Sequence, residues 1–120
     1  MIKFIKGRIR AVGYAFKGAY LLITTEASLK AQFFIGFLIT IAGYYFEISK
    51  TEWMIQILTI GLIMSLEGLN TAIEEIADFI HPEHHKKIGL IKDLAAGAVF
   101  IFAIAAVIIG CFIYIPKIMS

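Results

Sequence analysis

An uncharged stretch of 22 residues, from position 94 to position 115, limits the structures that this chain can form. As an α-helix it would be roughly 33 Å long, which matches the hydrocarbon core of a bilayer. Pro116 and Lys117 follow it directly, so we expect the helix to end there. The stretch predicts a helix that spans a membrane.

The composition supports a membrane protein. Hydrophobic residues make up 60% of the 120 positions and charged residues 17%, and the mean hydropathy is +0.87. Soluble domains average about 45–50% apolar and about 25% charged residues, and a chain this short could bury only part of its excess. A soluble enzyme and a disordered tail are therefore excluded. The net charge of +2 is too small to suggest a nucleic-acid-binding protein.

Two further apolar segments, residues 29–46 and 53–77, are long enough to cross a bilayer. Residues 1–25 instead carry apolar side chains at helical spacing beside a basic stripe, a pattern typical of an amphipathic helix on a membrane surface. No repeat or flexible linker divides the chain. We therefore expect one all-α integral membrane domain, residues 1–120, with an N-terminal surface helix and transmembrane helices at 29–46, 53–77 and 94–115.

The distribution of basic residues predicts the orientation of these helices. The side that holds the N-terminal segment and the loop at 79–91 is rich in lysine, whereas the other side has only Lys50 and Lys117. Because basic loops remain in the cytoplasm, we expect a cytoplasmic N-terminus and an external C-terminus. Lys17 interrupts the apolar region that a signal peptide would need, so the sequence is expected to be mature from Met1.

Polar side chains of the second span form a stripe. They are Glu67, Asn70, Glu74 and Asp78, separated by three, four and four residues. At helical spacing they fall within an arc of about 80° on one face. A carboxylate inside a membrane span is costly, which makes function the first hypothesis. The alternative is a stripe that only forms interhelical hydrogen bonds and positions the bundle.

Other polar residues are expected at the same membrane face. Glu26 precedes the first span, and Lys92 and Asp93 precede the last one. Taken singly, Glu26 could be a solvated helix-end residue and Lys92 a snorkelling anchor. Together with the stripe, carboxylates beside a lysine and a helix N-terminus suit Mg²⁺ and a polyphosphate.

The loop before the last span contains the run HPEHH, residues 81–85. Three histidines so close in sequence cannot readily all turn to one tetrahedral zinc ion, so we interpret the run as a polar loop that covers the site. The chain contains neither of the common phosphate-binding motifs, GxxxxGK[ST] and GxGxxG. Ser65 and Cys111 have no adjacent histidine base, so nucleophilic catalysis is not indicated.

The run Glu67-Gly-Leu-Asn70-Thr-Ala-Ile-Glu74-Glu-Ile-Ala-Asp78 resembles the signature of the prokaryotic diacylglycerol kinase family, E-x-x-N-[ST]-A-I-E-x-x-x-D. The resemblance extends over nearly the whole chain. It includes Gly13-Tyr14-Ala-Phe-Lys17-Gly18, the Glu26-Ala pair, the loop at 83–85 and Lys92-Asp93 after the same spacing.

The resemblance implies a small lipid kinase of the bacterial inner membrane that works as a homotrimer. ATP would be the phosphate donor and Mg²⁺ the cofactor, in cytoplasmic sites shared between neighbouring subunits. Glu67 would accept the proton of the lipid hydroxyl, and Glu26 and Glu74 would bind the divalent cation and the nucleotide. Asn70 and Asp78 would support them. The remaining nucleotide contacts would come from Tyr14, Glu83, His84, His85, Lys92 and Asp93.

The family phosphorylates either diacylglycerol or undecaprenol. Glu52-Trp53, the run at 92–99 and the ending at 116–118 are more similar to the undecaprenol kinase branch. Ala96 stands where the diacylglycerol kinase branch has a serine, which also favours undecaprenol. A basic residue near the start of the surface helix contacts nucleotide in relatives, but Gly7 occupies the aligned position here, so that role is not assigned.

The residues themselves leave two other functions open. One is an ion or proton carrier that uses Glu67 and Glu74 as a relay, and the other is an inactive membrane scaffold. A carrier would need acidic groups through the depth of the bilayer, whereas the last span has none and the acids within the spans lie toward one side. The presence of every family acid named above argues against a scaffold.

Overall fold

A computed structural model describes all 120 residues as four helices joined by short connections. Helix α1 is Ile2–Thr25, α2 is Ala27–Tyr45, α3 is Lys50–Ile80 and α4 is Lys86–Met119. The last three are long and apolar enough to cross a membrane. The predicted all-α class, with three long apolar helices after a separate N-terminal helix, is confirmed.

Helices α3 and α4 extend beyond the apolar spans. α4 begins eight residues before position 94 and ends four residues after position 115. The expectation that Pro116 ends the last helix is wrong, because the helix continues to Met119. The fixed φ angle of proline is compatible with a helix, and its missing N–H removes a single bond, the one to the carbonyl of Phe112. α3 extends at both ends beyond 53–77, whereas α2 begins and ends slightly before the predicted 29–46.

Large apolar side chains cover the outside of the three long helices. Only 11 of the 120 residues are buried, and Phe37, Leu58 and Phe100 are each more than half exposed. Soluble monomers rarely expose apolar patches larger than about a few hundred Å². This surface therefore requires lipid or further protein chains around it.

Two glycines of α2 allow α3 to pack closely. A Cβ atom at Gly43 would lie 2.7 Å from the ring of Trp53, and one at Gly36 would lie 3.2 Å from Ile60. Moving seven residues back along α2 thus moves seven residues forward along α3, as expected for an antiparallel pair. This register sets the height of every α3 side chain relative to α2.

A buried polar cluster joins the three long helices near the α2–α3 loop. The hydroxyl of Tyr114 on α4 donates a hydrogen bond to Oε1 of Gln56 on α3 and lies 3.1 Å from the carbonyl oxygen of Ile39 on α2. Nε2 of Gln56 donates to the same carbonyl at 3.5 Å. Because Gln56 is only 4% exposed, these bonds are needed to offset the removal of its amide from water.

The start of α3 is closed by a capping box. Oγ of Ser49 accepts from the N–H of Glu52 at 3.1 Å, and the Glu52 carboxylate accepts from the N–H of Ser49 at 2.9 Å. Glu52 also forms an ion pair with Lys117 at 3.5 Å, which joins α3 to the end of α4. In the loop, Glu47 adopts a φ angle of 51°, in the left-handed region that non-glycine residues seldom occupy.

Gly43→Ala is expected to lower the free energy of unfolding by about 1–3 kcal/mol, because the new methyl group would overlap the Trp53 ring. The matched control is Gly61→Ala, since a Cβ at Gly61 meets no atom within 4 Å. This control should be neutral or stabilising by no more than about 1 kcal/mol. Thermal unfolding in detergent measures both variants, and equal midpoints would contradict the close packing of α2 on α3.

Candidate active site

Glu26 lies at the junction of α1 and α2, where it is both the C-cap of α1 and the N-cap of α2. Glu26 alone separates them, with φ and ψ of −93° and 120°, and its N–H donates to the carbonyl of Leu22 at 3.1 Å. Its carboxylate makes no capping bond to the first turn of α2. The side chain is half-buried, so the carboxylate lies free beside the positive end of a helix dipole.

A glycine of α3 brings the end of α1 against the acidic stripe. A Cβ atom at Gly68 would lie 3.0 Å from Cδ1 of Leu22, which is one turn before Glu26. Gly68 itself is buried and directly follows Glu67 in sequence. The close contact places the last turn of α1 at the level of Glu67.

The stripe on α3 passes from partly buried to exposed. Glu67 is half-buried and Asn70 is 7% exposed, whereas Glu74 and Asp78 are exposed. Nδ2 of Asn70 donates to Oε1 of Glu74 at 3.5 Å, and Oδ1 of Asn70 has no hydrogen-bond partner. Asn70 therefore holds one carboxylate of the stripe and retains a buried acceptor.

Helix α4 joins this stripe through a salt bridge. Nζ of Lys92 donates to Oδ1 of Asp78, and both side chains are partly exposed. Glu74 lies one turn before Asp78 on the same face, so the ammonium group is held beside two carboxylates. A cation in this position can also face an anionic ligand that approaches from the aqueous side.

The loop between α3 and α4 holds the histidines. Nδ1 of His85 accepts from the N–H of Lys87 at 3.1 Å and caps α4. In the neutral ring the proton must then lie on Nε2, which is free to donate to an anion. Nδ1 of His81 lies 2.8 Å from the carbonyl of Glu83, and the rings of His81 and His85 are 5.0 Å apart.

The chain thus brings some of the predicted site residues into contact and leaves others apart. The Asn70–Glu74 and Lys92–Asp78 pairs form within it, and α1 reaches the stripe through Leu22. No group of three or more His, Cys, Asp or Glu side chains could hold a metal ion. The other predicted nucleotide contacts are exposed and form no salt bridge; they are Tyr14, Glu83, His84 and Asp93.

Sequence reasoning missed three contacts. It did not pair Lys92 with Asp78, although opposite charges at the facing ends of two helices joined by a short loop were a usable signal. It did not anticipate Gly68 as the contact for α1, or the cluster of Gln56 and Tyr114. Polar residues deep in apolar spans would have indicated that cluster.

A sequence model of the family described as prokaryotic diacylglycerol kinase matches residues 13–114 of this chain. The chain belongs to the prokaryotic diacylglycerol kinase family. The match covers the junction at Glu26, the stripe on α3 and all of α4 except its last five residues.

Similar proteins carry two names. The chain is 41% identical over 104 residues to an undecaprenol kinase from Bacillus subtilis, covering 87% of this chain and 85% of that protein. It is 32% identical over 103 residues to a diacylglycerol kinase from Escherichia coli, covering 86% and 84%. A diacylglycerol kinase from Synechocystis is 33% identical over 108 residues, which are 89% of this chain but 62% of that longer protein.

Membership in this family confirms the lipid kinase function that the resemblance predicted. The protein is a multi-pass membrane lipid kinase of this prokaryotic family, and a kinase of this family uses ATP. A lipid kinase is therefore supported over the ion carrier that the same residues left open.

Lys92→Met should lower kcat/KM for ATP by roughly tenfold or more, because the ammonium group held by Asp78 would no longer be positioned for an anion. The matched control is Lys117→Met, which removes the cation of the other salt bridge, at the opposite end of α4. Each change should have little effect on stability, since both pairs are exposed to solvent screening. Equal losses of activity in the two variants would contradict a local role for Lys92.

Proposed function

We propose that this kinase transfers the γ-phosphoryl group of ATP to undecaprenol at the cytoplasmic face of the bacterial inner membrane. The observation that carries the proposal is the α3 stripe, which passes from half-buried Glu67 to exposed Glu74 and Asp78. A lipid hydroxyl can meet Glu67 from the membrane, while ATP can meet the exposed end from water.

The comparison with known proteins supports undecaprenol, rather than diacylglycerol, as the proposed acceptor. The relative named undecaprenol kinase is 41% identical, whereas those named diacylglycerol kinase are 33% or less. The features at Glu52-Trp53, Ala96 and 116–118 agree with this preference. Diacylglycerol is the alternative acceptor, and its hydroxyl would react by the same chemistry.

Glu67 is the proposed base. Its carboxylate would accept the proton of the lipid hydroxyl as the oxygen attacks the γ-phosphorus; the new O–P bond forms, the bond to the β-phosphate oxygen breaks, and ADP leaves. Such a transfer depends more on positioning and charge neutralisation than on covalent chemistry by the protein. Gly68 supports this placement because it lets α1 pack beside Glu67.

Glu26 and Glu74 are the proposed ligands of Mg²⁺. Mg²⁺ is usually bound by one or two carboxylates with phosphate oxygens and water, so a site with fewer than three protein ligands fits this ion. The Glu26 carboxylate makes no capping bond, and Glu74 is held by the amide of Asn70. When bound, the ion would neutralise charge on the phosphates.

Nucleotide binding is assigned to the water-facing end of the site. Lys92 is a cation beside the stripe, and Nε2 of His85 is a free donor for phosphate oxygens. Glu83 and Asp93 carry negative charge, so they suit the hydroxyl or amino groups of the nucleoside better than its phosphates. Tyr14 and His84 are exposed and can contribute ring contacts.

The proposed active form is a homotrimer with sites shared between neighbouring subunits. A single chain leaves Tyr14, Glu83, His84 and Asp93 exposed and gathers no complete ligand set. It also buries only 11 residues, so a partner surface would add the packing that one chain lacks. The proposed orientation, with a cytoplasmic N-terminus, is supported by the basic residues of α1 and of the α3–α4 loop.

Glu67→Gln should reduce kcat by at least about a hundredfold while ATP still binds, because the amide cannot accept the proton. The control is Glu75→Gln, which removes one exposed carboxylate from the same helix outside the stripe and should leave kcat nearly unchanged. Turnover is measured by transfer of labelled phosphate and binding by calorimetry. Full activity of Glu67→Gln would remove this residue from the role of base.

A side-by-side assay in the same lipid should give a kcat/KM for undecaprenol that exceeds the value for diacylglycerol by roughly tenfold or more. Glu67→Gln serves as the blank for both acceptors. A higher value for diacylglycerol would reassign the acceptor and leave the kinase chemistry intact. Transfer to neither lipid would overturn the proposed function.

A further inference from the structure

The loop between α3 and α4, residues 81–85, has little backbone hydrogen bonding of its own. Its main chain is bonded only at the two ends, where the N–H of His81 donates back into α3 and the carbonyl of His85 accepts from α4. Pro82 has no N–H to donate, and no other residue of the loop makes a backbone–backbone bond. The shape of the loop therefore depends on side chains.

Two histidine side chains supply the remaining hydrogen bonds of this loop. Nδ1 of His81 lies 2.8 Å from the carbonyl oxygen of Glu83, and Nδ1 of His85 accepts from the N–H of Lys87 at 3.1 Å. A carbonyl oxygen can only accept, so Nδ1 of His81 carries a proton, whereas Nδ1 of His85 carries none. The two neutral rings are thus opposite tautomers, and each holds a different part of the loop.

His81 is the better fixed of the two histidines. It is half-buried, whereas residues 82–85 are all exposed. Because Pro82 follows it, its backbone is restricted to the extended region, and the observed φ and ψ of −146° and 85° end α3 there. Its ring lies 5.0 Å from the ring of His85, at an interplanar angle of 59°. His81 therefore links the end of α3 both to the turn of the loop and to the exposed ring.

The proposed nucleotide site uses the exposed ring and not the half-buried one. Nε2 of His85 is a free donor for phosphate oxygens, and a donor binds best when its ring is already oriented, since ordering a mobile side chain costs entropy. The donor of His81 is occupied by the carbonyl of Glu83, and its Nε2 carries no proton in the neutral ring. His81 can therefore act on the loop but cannot donate to a phosphate.

We propose that His81 is a positioning residue for ATP. Through the hydrogen bond from its Nδ1 to the Glu83 carbonyl, it holds the loop in the turn that directs Nε2 of His85 toward the phosphates. The inference rests on the proposed function, because it takes His85 to be a phosphate contact. It gives a role in ATP binding to a residue that touches neither substrate.

Two substitutions separate the hydrogen bond from the ring. His81→Phe keeps a ring beside His85 and removes the donor, whereas His81→Asn loses the ring and places an amide donor close to the position of Nδ1. His81→Phe should raise the KM for Mg-ATP by roughly fivefold, with kcat and the KM for the lipid changed by less than about twofold, because only binding of the phosphates is weakened. His81→Asn should restore the KM for Mg-ATP to within about twofold of the wild-type value.

The matched control for these variants is Ile80→Ala, which shortens the exposed neighbour at the same helix end and should leave all three constants unchanged. An unchanged KM for Mg-ATP in His81→Phe, or equal impairment of the Phe and Asn variants, would overturn the proposal. A parallel loss in kcat and in both KM values would also overturn it, since that pattern indicates general damage to the fold.

A double-mutant cycle with His85→Ala tests whether His81 acts through His85. Binding of the β,γ-methylene analogue of ATP with Mg²⁺ is measured by calorimetry, which requires neither turnover nor an acceptor lipid. His85→Ala should weaken binding, and adding His81→Phe in that background should weaken it by no more than about twofold further. The full effect of His81→Phe in both backgrounds would contradict action through His85.

The same cycle distinguishes a failure of this inference from a failure of the proposed nucleotide site. If His85→Ala binds the analogue as tightly as the wild-type protein, the assignment of His85 to the phosphates is wrong and the role of His81 fails with it. If His85→Ala weakens binding but His81→Phe does not, only the role of His81 is overturned and the proposed function stands.

Discussion

Hydrocarbon tolerates neither an unpaired backbone group nor an unpaired charge, and the arrangement of this chain follows from that constraint. The spans are helices because a helix pairs its own backbone. Some polar residues inside the bundle are paired, as in the cluster of Gln56, Tyr114 and the Ile39 carbonyl. Others lie toward the opposite end of the bundle, where the acidic stripe of α3 becomes exposed. Both ends of the bundle thus have polar groups, but with different chemistry.

At one end the buried polar groups, those of Gln56, Tyr114 and the Ile39 carbonyl, are neutral and satisfy each other, so they join three helices without needing a ligand. At the other end they are charged and only partly satisfied. Asn70 keeps a buried acceptor free, and Glu74 and Asp78 share one amide and one ammonium group. Partial satisfaction agrees with the proposed role of this end, because carboxylates that are not fully paired can still bind a metal ion.

Much of this arrangement could be predicted from the sequence, because apolar length and the spacing of acids are local properties. The three long helices, the separate α1 and the single face shared by Glu67, Asn70, Glu74 and Asp78 all followed from helical geometry. Contacts between helices could not be predicted in the same way. The packing of Leu22 on Gly68 and the pairing of Tyr114 with Gln56 depend on how helices are rotated against each other, which a periodic pattern does not specify. The end of α4 was misjudged because proline was treated as a stop, although near a helix end it removes only one bond.

The packing of α2 on α3 has a consequence for how this protein can vary in evolution. Trp53 against Gly43 and Ile60 against Gly36 set the register of the two helices. One residue inserted into α3 between Ile60 and Glu67 would turn the acidic face by about 100° and shift it by about 1.5 Å relative to these contacts, which would move it away from α1. A loop can absorb an added residue without turning the helix that follows it. Changes of length should therefore be rare within α3 and more frequent in the loops and at the two ends of the chain.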